Sequence, residues 1–227
     1  MNGSVRFDRR YRGPEGSANG GYAAGTLASY LDGPAEVTLR LPPPLERDLA
    51  VERRDGGLVL LDGEAVVAEA MPATVELEAP APVSFEEARA ASAGYVPFGA
   101  DTFRGCFSCG ALREEGDGLR ILPGRLPDGR TVAAPWRARE PSVPVVWAAI
   151  DCSGAYAIGG EGRGETVLGR MAARIERLPR EGEQCAVLGW PRGEDGRKLY
   201  AGTALFGEDG DLLAVARQTW IAPRPRD

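Results

Sequence analysis

From Glu36 to Leu41 the apolar residues Val37, Leu39 and Leu41 alternate with Thr38 and Arg40, the two-residue period of a strand with one buried face. Similar segments bounded by turn residues predict strands over Leu49 to Arg54, Leu58 to Leu61 and Ala65 to Leu77, with a hairpin at Asp62-Gly63 and a short strand at Val5 to Phe7. The stretch from about Gly20 to Leu31 is built of small residues and predicts a helix. Ser17 or Asn19 starts it and Asp32-Gly33-Pro34 stops it.

The same programme then recurs. Trp147-Ala148-Ala149-Ile150-Asp151-Cys152-Ser153-Gly154-Ala155 lies in a second small-residue helix, predicted from about Val145 to Ile158 and ended by Gly159-Gly160. Strands follow over Thr166 to Ile175, Gln184 to Trp190, Lys198 to Phe206 and Leu212 to Ile221, with turns at Asp195-Gly196 and Asp209-Gly210. Asp62-Gly63-Glu64-Ala65-Val66-Val67-Ala68 is echoed by Asp209-Gly210-Asp211-Leu212-Leu213-Ala214-Val215. Between the copies, Pro80 to Pro82 leads into Ser84-Phe85-Glu86-Glu87, a capping box opening a short helix to about Ala93. A glycine-rich passage from Tyr95 to Gly116 follows, then strands near Gly118 to Leu122 and Thr131 to Trp136. The chain thus divides into a first repeat over residues 1–79, a linker over 80–116 and a second repeat over 117–227.

Composition narrows the chemistry. With 227 residues, 43% hydrophobic and 26% charged, the chain can bury a sizeable core without staples. A net charge of −6 and a single lysine, Lys198, argue against nucleic acid as a partner, since nonspecific affinity for it comes from clustered cations. Met1 to Gly13 carries four arginines and no apolar run, and no stretch is long and apolar enough for a membrane span, so a cytoplasmic location is expected. The absence of histidine removes Ser-His-Asp and Cys-His sites and histidine-ligated zinc. Cys106 and Cys109 have the spacing of half a metal knuckle, but Cys152 and Cys185 fall far apart in predicted core elements. Reduced thiols ordering a loop near a pocket mouth are therefore expected, and no metal or cofactor.

One helix followed by an antiparallel meander, twice over, resembles the hotdog fold, in which a curved sheet wraps a central helix. The fold class read here is α+β, a tandem (double) hotdog of two antiparallel sheets, each around its own helix. Ala23, Ala24, Gly25, Ala28, Ala148, Ala149, Gly154 and Ala155 suit helices enclosed at close range. The competing reading is a generic α+β fold with alanine-rich helices. At these residues the chain resembles the thioesterase-like double-hotdog proteins, most of which act on acyl-CoA thioesters. Asn19-Gly20-Gly21 stands where many members carry a His-Gly-Gly turn, Asp151 resembles the helix acid of phenylacetyl-CoA-type thioesterases, and Gln218 sits in the last strand as a catalytic glutamine does in the acyl-CoA thioesterases. That family's aspartate after the second helix would fall near Gly169 and Arg170, where this chain has none.

The resemblance implies thioester hydrolysis, and the residues supply a route. Free amides at Gly20, Gly21 and Tyr22 gather the positive end of the helix dipole against a substrate carbonyl. Asp151, desolvated between Ile150 and Ala155, serves as base or nucleophile, with Gln218 and Thr219 orienting water. Arg170, Arg197 and Lys198 are candidates for coenzyme A phosphates. Each has a plainer reading: Asn19 as an N-cap, Gly-Gly as backbone geometry, Asp151 as a solvated residue, Gln218 as a satisfied strand residue. Hotdog dehydratases and hydratases use a histidine that this chain lacks. The alternative is a non-catalytic binder of acyl or aromatic ligands. The expected partner is a small acyl thioester or acyl ligand, and a homo-oligomer of double hotdogs is compatible with either function. In the first helix the position matching Asp151 is about Ala28, so a single asymmetric site is expected, with glycines from one half and the acid from the other.

Overall fold

The computed structural model describes residues 3–97, 101–159 and 166–223. Within them eleven strands form one antiparallel sheet. In the first half β1 (Gly3–Arg6), β2 (Ala35–Leu39), β3 (Asp48–Arg54), β4 (Gly57–Asp62) and β5 (Ala65–Pro72) lie in the order β1-β3-β4-β5-β2. In the second, β7 (Val132–Arg137), β8 (Val167–Ile175), β9 (Gln184–Asp195), β10 (Lys198–Phe206) and β11 (Leu212–Ile221) repeat that order as β7-β9-β10-β11-β8, with β6 (Gly124–Arg125) added at the edge. Two separate sheets were expected; instead β2 pairs with β8, Val37 opposite Met171, and the sheet runs on from one half to the other. The β3–β4 turn places Asp55 (φ 48°) and Gly56 (φ 80°) in the left-handed region, the two-residue hairpin geometry that matches strand twist.

Three of the four α-helices among the described residues lie on one face. Helix α1 (Gly20–Ala28) packs against α3 (Val143–Ala149) and touches β2, β5 and β8, while α4 (Cys152–Ile158) packs on β7, β9 and β10. Leu27, Trp147, Leu60, Met171 and Leu205 share this core. The other face of the second half is covered too. Helix α2 (Phe85–Ser92), with its capping box from Ser84 to Glu87, brings Ala88 into a second core with Val75, Leu188 and Phe206. This cover explains why the strand predicted over Ala65 to Leu77 ends at Pro72. Proline donates no ladder bond, and Val75, which reads as more strand, is buried against the opposite half instead.

Two further elements differ from the sequence reading. Residues near Gly118 to Leu122 form no strand, because Leu119 and Ile121 donate their amides to the carbonyls of Phe107 and Ser108 in the cysteine loop. The second helix is not continuous: it breaks at Ile150 and Asp151, where Asp151 has φ −79° and ψ −76°. Gln218, on β11, donates from Nε2 to the Ile150 carbonyl (2.7 Å), replacing a bond that an unbroken helix would make internally, and to the Asp151 carbonyl (3.1 Å), which also accepts from the Gly154 amide (3.2 Å).

Glu183, its side chain fully buried, ties the entry to β9 to the rest of the sheet. Its carboxylate accepts two bonds from Arg177 (2.7 and 3.0 Å) and one from the Arg180 amide (2.7 Å). The Arg177 guanidinium leads in holding its pKa down, from the ordinary 4.5 to about 2. A depressed folded pKa gives stability that is complete above pH 4.5 and lost as the pH falls toward 2. Glu183→Gln is expected to lose about 2 kcal/mol at neutral pH and to flatten the fall of stability with acid, read by urea denaturation across this range. Parallel pH profiles for the two proteins would contradict the assignment.

Candidate functional site

The site is made where two helices touch without intervening side chains. Asn19 caps α1, its Oδ1 accepting from the Tyr22 amide at 2.8 Å. Gly21 and Gly25 then present bare backbone to α3. A Cβ on Gly21 would lie 2.6 Å from both the Asp151 Cβ and the Trp147 carbonyl, and one on Gly25 would lie 2.6 Å from the Trp147 Cβ. With α1 this close, Asp151 at the helix break meets the start of α1. Its Oδ2 accepts from the Gly21 amide at 3.0 Å and from Asn19 Nδ2 at 2.9 Å.

Asp151 is only 2% exposed, and its second oxygen, Oδ1, is buried with no hydrogen-bond partner among the described residues. Burial is the largest influence on its acidity and raises the pKa from 3.8 to about 7. The Gly21 amide opposes that rise, the charge on Cys106 adds to it, and the Asn19 bond opposes it. A carboxyl group that titrates near neutrality and keeps one oxygen free can accept a proton or attack a carbonyl carbon.

That group lines a cavity of about 530 Å³, within the usual range of small-ligand sites. Asn19, Gly20 and Thr166 supply polar lining with Asp151, while Leu39, Leu168 and Trp220 supply apolar wall. The hydroxyl of Thr166 is likewise buried with no partner among the described residues. In the first turn of α1 the Gly21 and Tyr22 amides are taken by Asp151 and Asn19, which leaves Gly20 with the one donor that makes no bond among the described residues. Of the three amides expected to face a substrate, one remains available.

The other expected residues lie elsewhere. The Tyr22 ring stacks on Tyr11 at 3.9 Å beside Phe107, outside this cavity. Gln218 holds the helix break and accepts from Trp220 Nε1 at 2.8 Å, so its amide is engaged rather than turned to water. Thr219 falls between the inward residues Gln218 and Trp220, opposite Arg170 on β8. Arg170 bonds Thr38 Oγ1 at 3.0 Å and pairs with Glu36 at 3.4 Å, joining the halves across the outer face. Arg197 and Lys198 are exposed at the β9–β10 turn and do not line the cavity. Of the expected glycines, Gly160 lies outside the described residues. Thr166, Leu168 and Trp220 went unnoticed because no spacing rule marks cavity lining at strand ends.

The cysteines also depart from expectation. Cys152 comes to Cys106 and Cys109, and the three buried sulfurs lie within 4.8 Å of one another. Bonds from the neighbouring thiols favour the Cys106 thiolate and hold its pKa well below the ordinary value. Cys185 stands apart, its thiol donating to the Glu183 carbonyl.

No protein-family model matches the chain, and no curated protein sequence does. Solved structures match it in fold over nearly its whole length. The acyl-CoA thioesterase II TesB2 of Mycobacterium marinum is 14% identical, with a TM-score of 0.62 over 99% of this chain and 93% of that one. A protein of unknown function with a hotdog fold from Alicyclobacillus acidocaldarius is 13% identical, with a TM-score of 0.57 over 99% and 93%. The dehydratase domain of RzxB from Pseudomonas fluorescens is 15% identical, with a TM-score of 0.58 over 98% and 94%. The chain has the hotdog fold, shared by thioesterases and by a dehydratase domain alike.

A buried acid with a raised pKa costs stability once it ionises. Because the folded state holds its proton up to about pH 7 while the unfolded chain releases it near 3.8, stability falls as the pH rises through that window. Asp151→Asn removes this dependence and keeps the Gly21 and Asn19 contacts. It is expected to unfold at higher temperature than the parent at pH 8 and at about the same temperature at pH 4. A variant that is less stable by a constant amount at both would mean that the carboxylate is structural.

Proposed function

We propose that the chain is a tandem hotdog thioester hydrolase of the acyl-CoA thioesterase type, with one site between its halves. Residues 1–79 and 117–227 form the two units and 80–116 joins them. The repeated strand order supports this division, as do α1 packing on β2 and β5 and α4 packing on β9 and β10. The observation that carries the functional reading is the Asp151 carboxylate, anchored through Oδ2 and with no partner at Oδ1 among the described residues, in the wall of a cavity that also contains Gly20.

In this reading the thioester carbonyl oxygen accepts from the Gly20 amide at the positive end of α1. Asp151 Oδ1 takes a proton from water as the water oxygen bonds to the carbonyl carbon. The tetrahedral intermediate then collapses, the carbon–sulfur bond breaks, and the departing thiolate recovers the proton from Asp151. Asn19 and Gly21 fix the carboxylate, and Gln218 positions it indirectly by holding the helix break open. The apolar wall from Leu168 to Trp220 suits the acyl group. Among solved structures, the acyl-CoA thioesterase named above shares the fold.

The competing reading is a binder without turnover, and what favours it is Gln218, whose amide is engaged with backbone and so cannot orient water. A panel of short, long and aromatic acyl-CoA esters separates the two. Release of free coenzyme A by the parent chain, reduced about 10²-fold or more in Asp151→Asn with ester binding retained, is the expected result. Unchanged turnover in the variant would remove Asp151 from the chemistry. Ligand-induced thermal stabilisation with no release from any ester would establish the binder.

A further inference from the structure

We propose that Cys106, Cys109 and Cys152 form a zinc site beside the cavity, with three thiolate ligands from the protein. Two segments far apart in sequence converge there. Cys106 and Cys109 belong to a tight turn closed by the Gly110 amide on the Cys106 carbonyl (2.9 Å), and Cys152 is the first residue of α4. The three sulfurs all lie within 4.8 Å of one another. A tetrahedral zinc ion with Zn–S bonds of about 2.3 Å needs its sulfurs about 3.8 Å apart; Cys106 and Cys152 are 3.9 Å apart. A disulfide would need about 2.05 Å.

The surroundings suit bound thiolates. Phe103 and Tyr156 pack around the sulfurs and keep the site largely apolar. The Asn19 side chain points Nδ2 at Cys106 Sγ (3.6 Å) while bonding Asp151, so one amide donor serves both the thiol cluster and the carboxylate. A side chain is essentially excluded at Gly110, since its Cβ would run into the Cys106 carbonyl and lie 2.8 Å from the Cys106 amide. Cys106 and Cys152 also line the cavity. The fourth coordination position therefore opens toward the cavity, where a water or a ligand donor atom completes the tetrahedron. The site does not depend on thioester hydrolysis, because it would equally serve a binder by fixing the cysteine loop against α4.

The test uses the full chain, produced with added zinc and purified without chelator. Elemental analysis and native mass spectrometry are expected to find about one zinc ion per chain. Replacement by cobalt is expected to give the visible bands of a tetrahedral ion and a sulfur-to-cobalt charge-transfer band. Cys106→Ser, Cys109→Ser and Cys152→Ser should each lose these features, while Cys185→Ser keeps them. If a serine variant fails to fold by circular dichroism, the parent protein decides alone through its zinc content and cobalt spectrum. Zinc far below stoichiometric, cobalt spectra without the thiolate band, zinc retained in folded Cys106→Ser, or a mass lower by two hydrogens indicating a disulfide would each overturn the site.

Discussion

The close approach of α1 to α3 at Gly21 and Gly25 is the constraint on which the rest depends. Without side chains at these two positions, one turn apart, the helix backbones come near enough for the carboxylate at the break following α3 to accept directly from an amide of α1. Larger residues would push the helices apart and open a gap between Asp151 and Gly21. Everything polar at the site follows from that distance. One carboxylate oxygen is anchored, while the other and the Gly20 amide make no bond among the described residues.

The break between α3 and α4 is the second half of the same construction. An uninterrupted helix would carry Asp151 on a regular face with its carbonyls bonded internally. Breaking it frees the carbonyl of Ile150, and Gln218 compensates from the neighbouring sheet. The break also starts α4 at Cys152, which brings a third sulfur to the Cys106–Cys109 turn. One local departure from helical geometry thereby places an acid at the cavity and a thiol in a cluster. Val75 and Ala88 cover the outer face of the second half, so that its strands are buried on both sides.

Much of this was legible in the chain. The Asp195-Gly196 and Asp209-Gly210 turns marked off Lys198–Phe206 and Leu212–Ile221 with their observed limits, the Ser84 capping box stands, and Asn19 caps its helix. The doubled helix and meander pointed to a repeat but not to a strand order, which the second half shares with the first within one sheet. What escaped were effects of contact between distant segments. No periodicity distinguishes an intact helix from one broken at Asp151, because the break is stabilised from β11. No local pattern shows that Val75 leaves the sheet, that Cys152 meets Cys106, or that Arg170 is drawn to Glu36 on the outer face. Small residues announced close packing; only the fold shows that the packing takes the Gly21 amide, beside the Tyr22 amide that the Asn19 cap takes.

The proposed hydrolysis requires a carbonyl bound in this cavity to sit between the Gly20 amide and Asp151 Oδ1. The most direct measurement is a crystal structure with a non-hydrolysable acyl-CoA analogue in which a methylene replaces the thioester sulfur. The account predicts the analogue's carbonyl oxygen within hydrogen-bond distance of the Gly20 nitrogen and its carbonyl carbon facing Asp151 Oδ1. An acyl group lodged in this cavity with its carbonyl turned away from both, or bound elsewhere on the molecule, would contradict it.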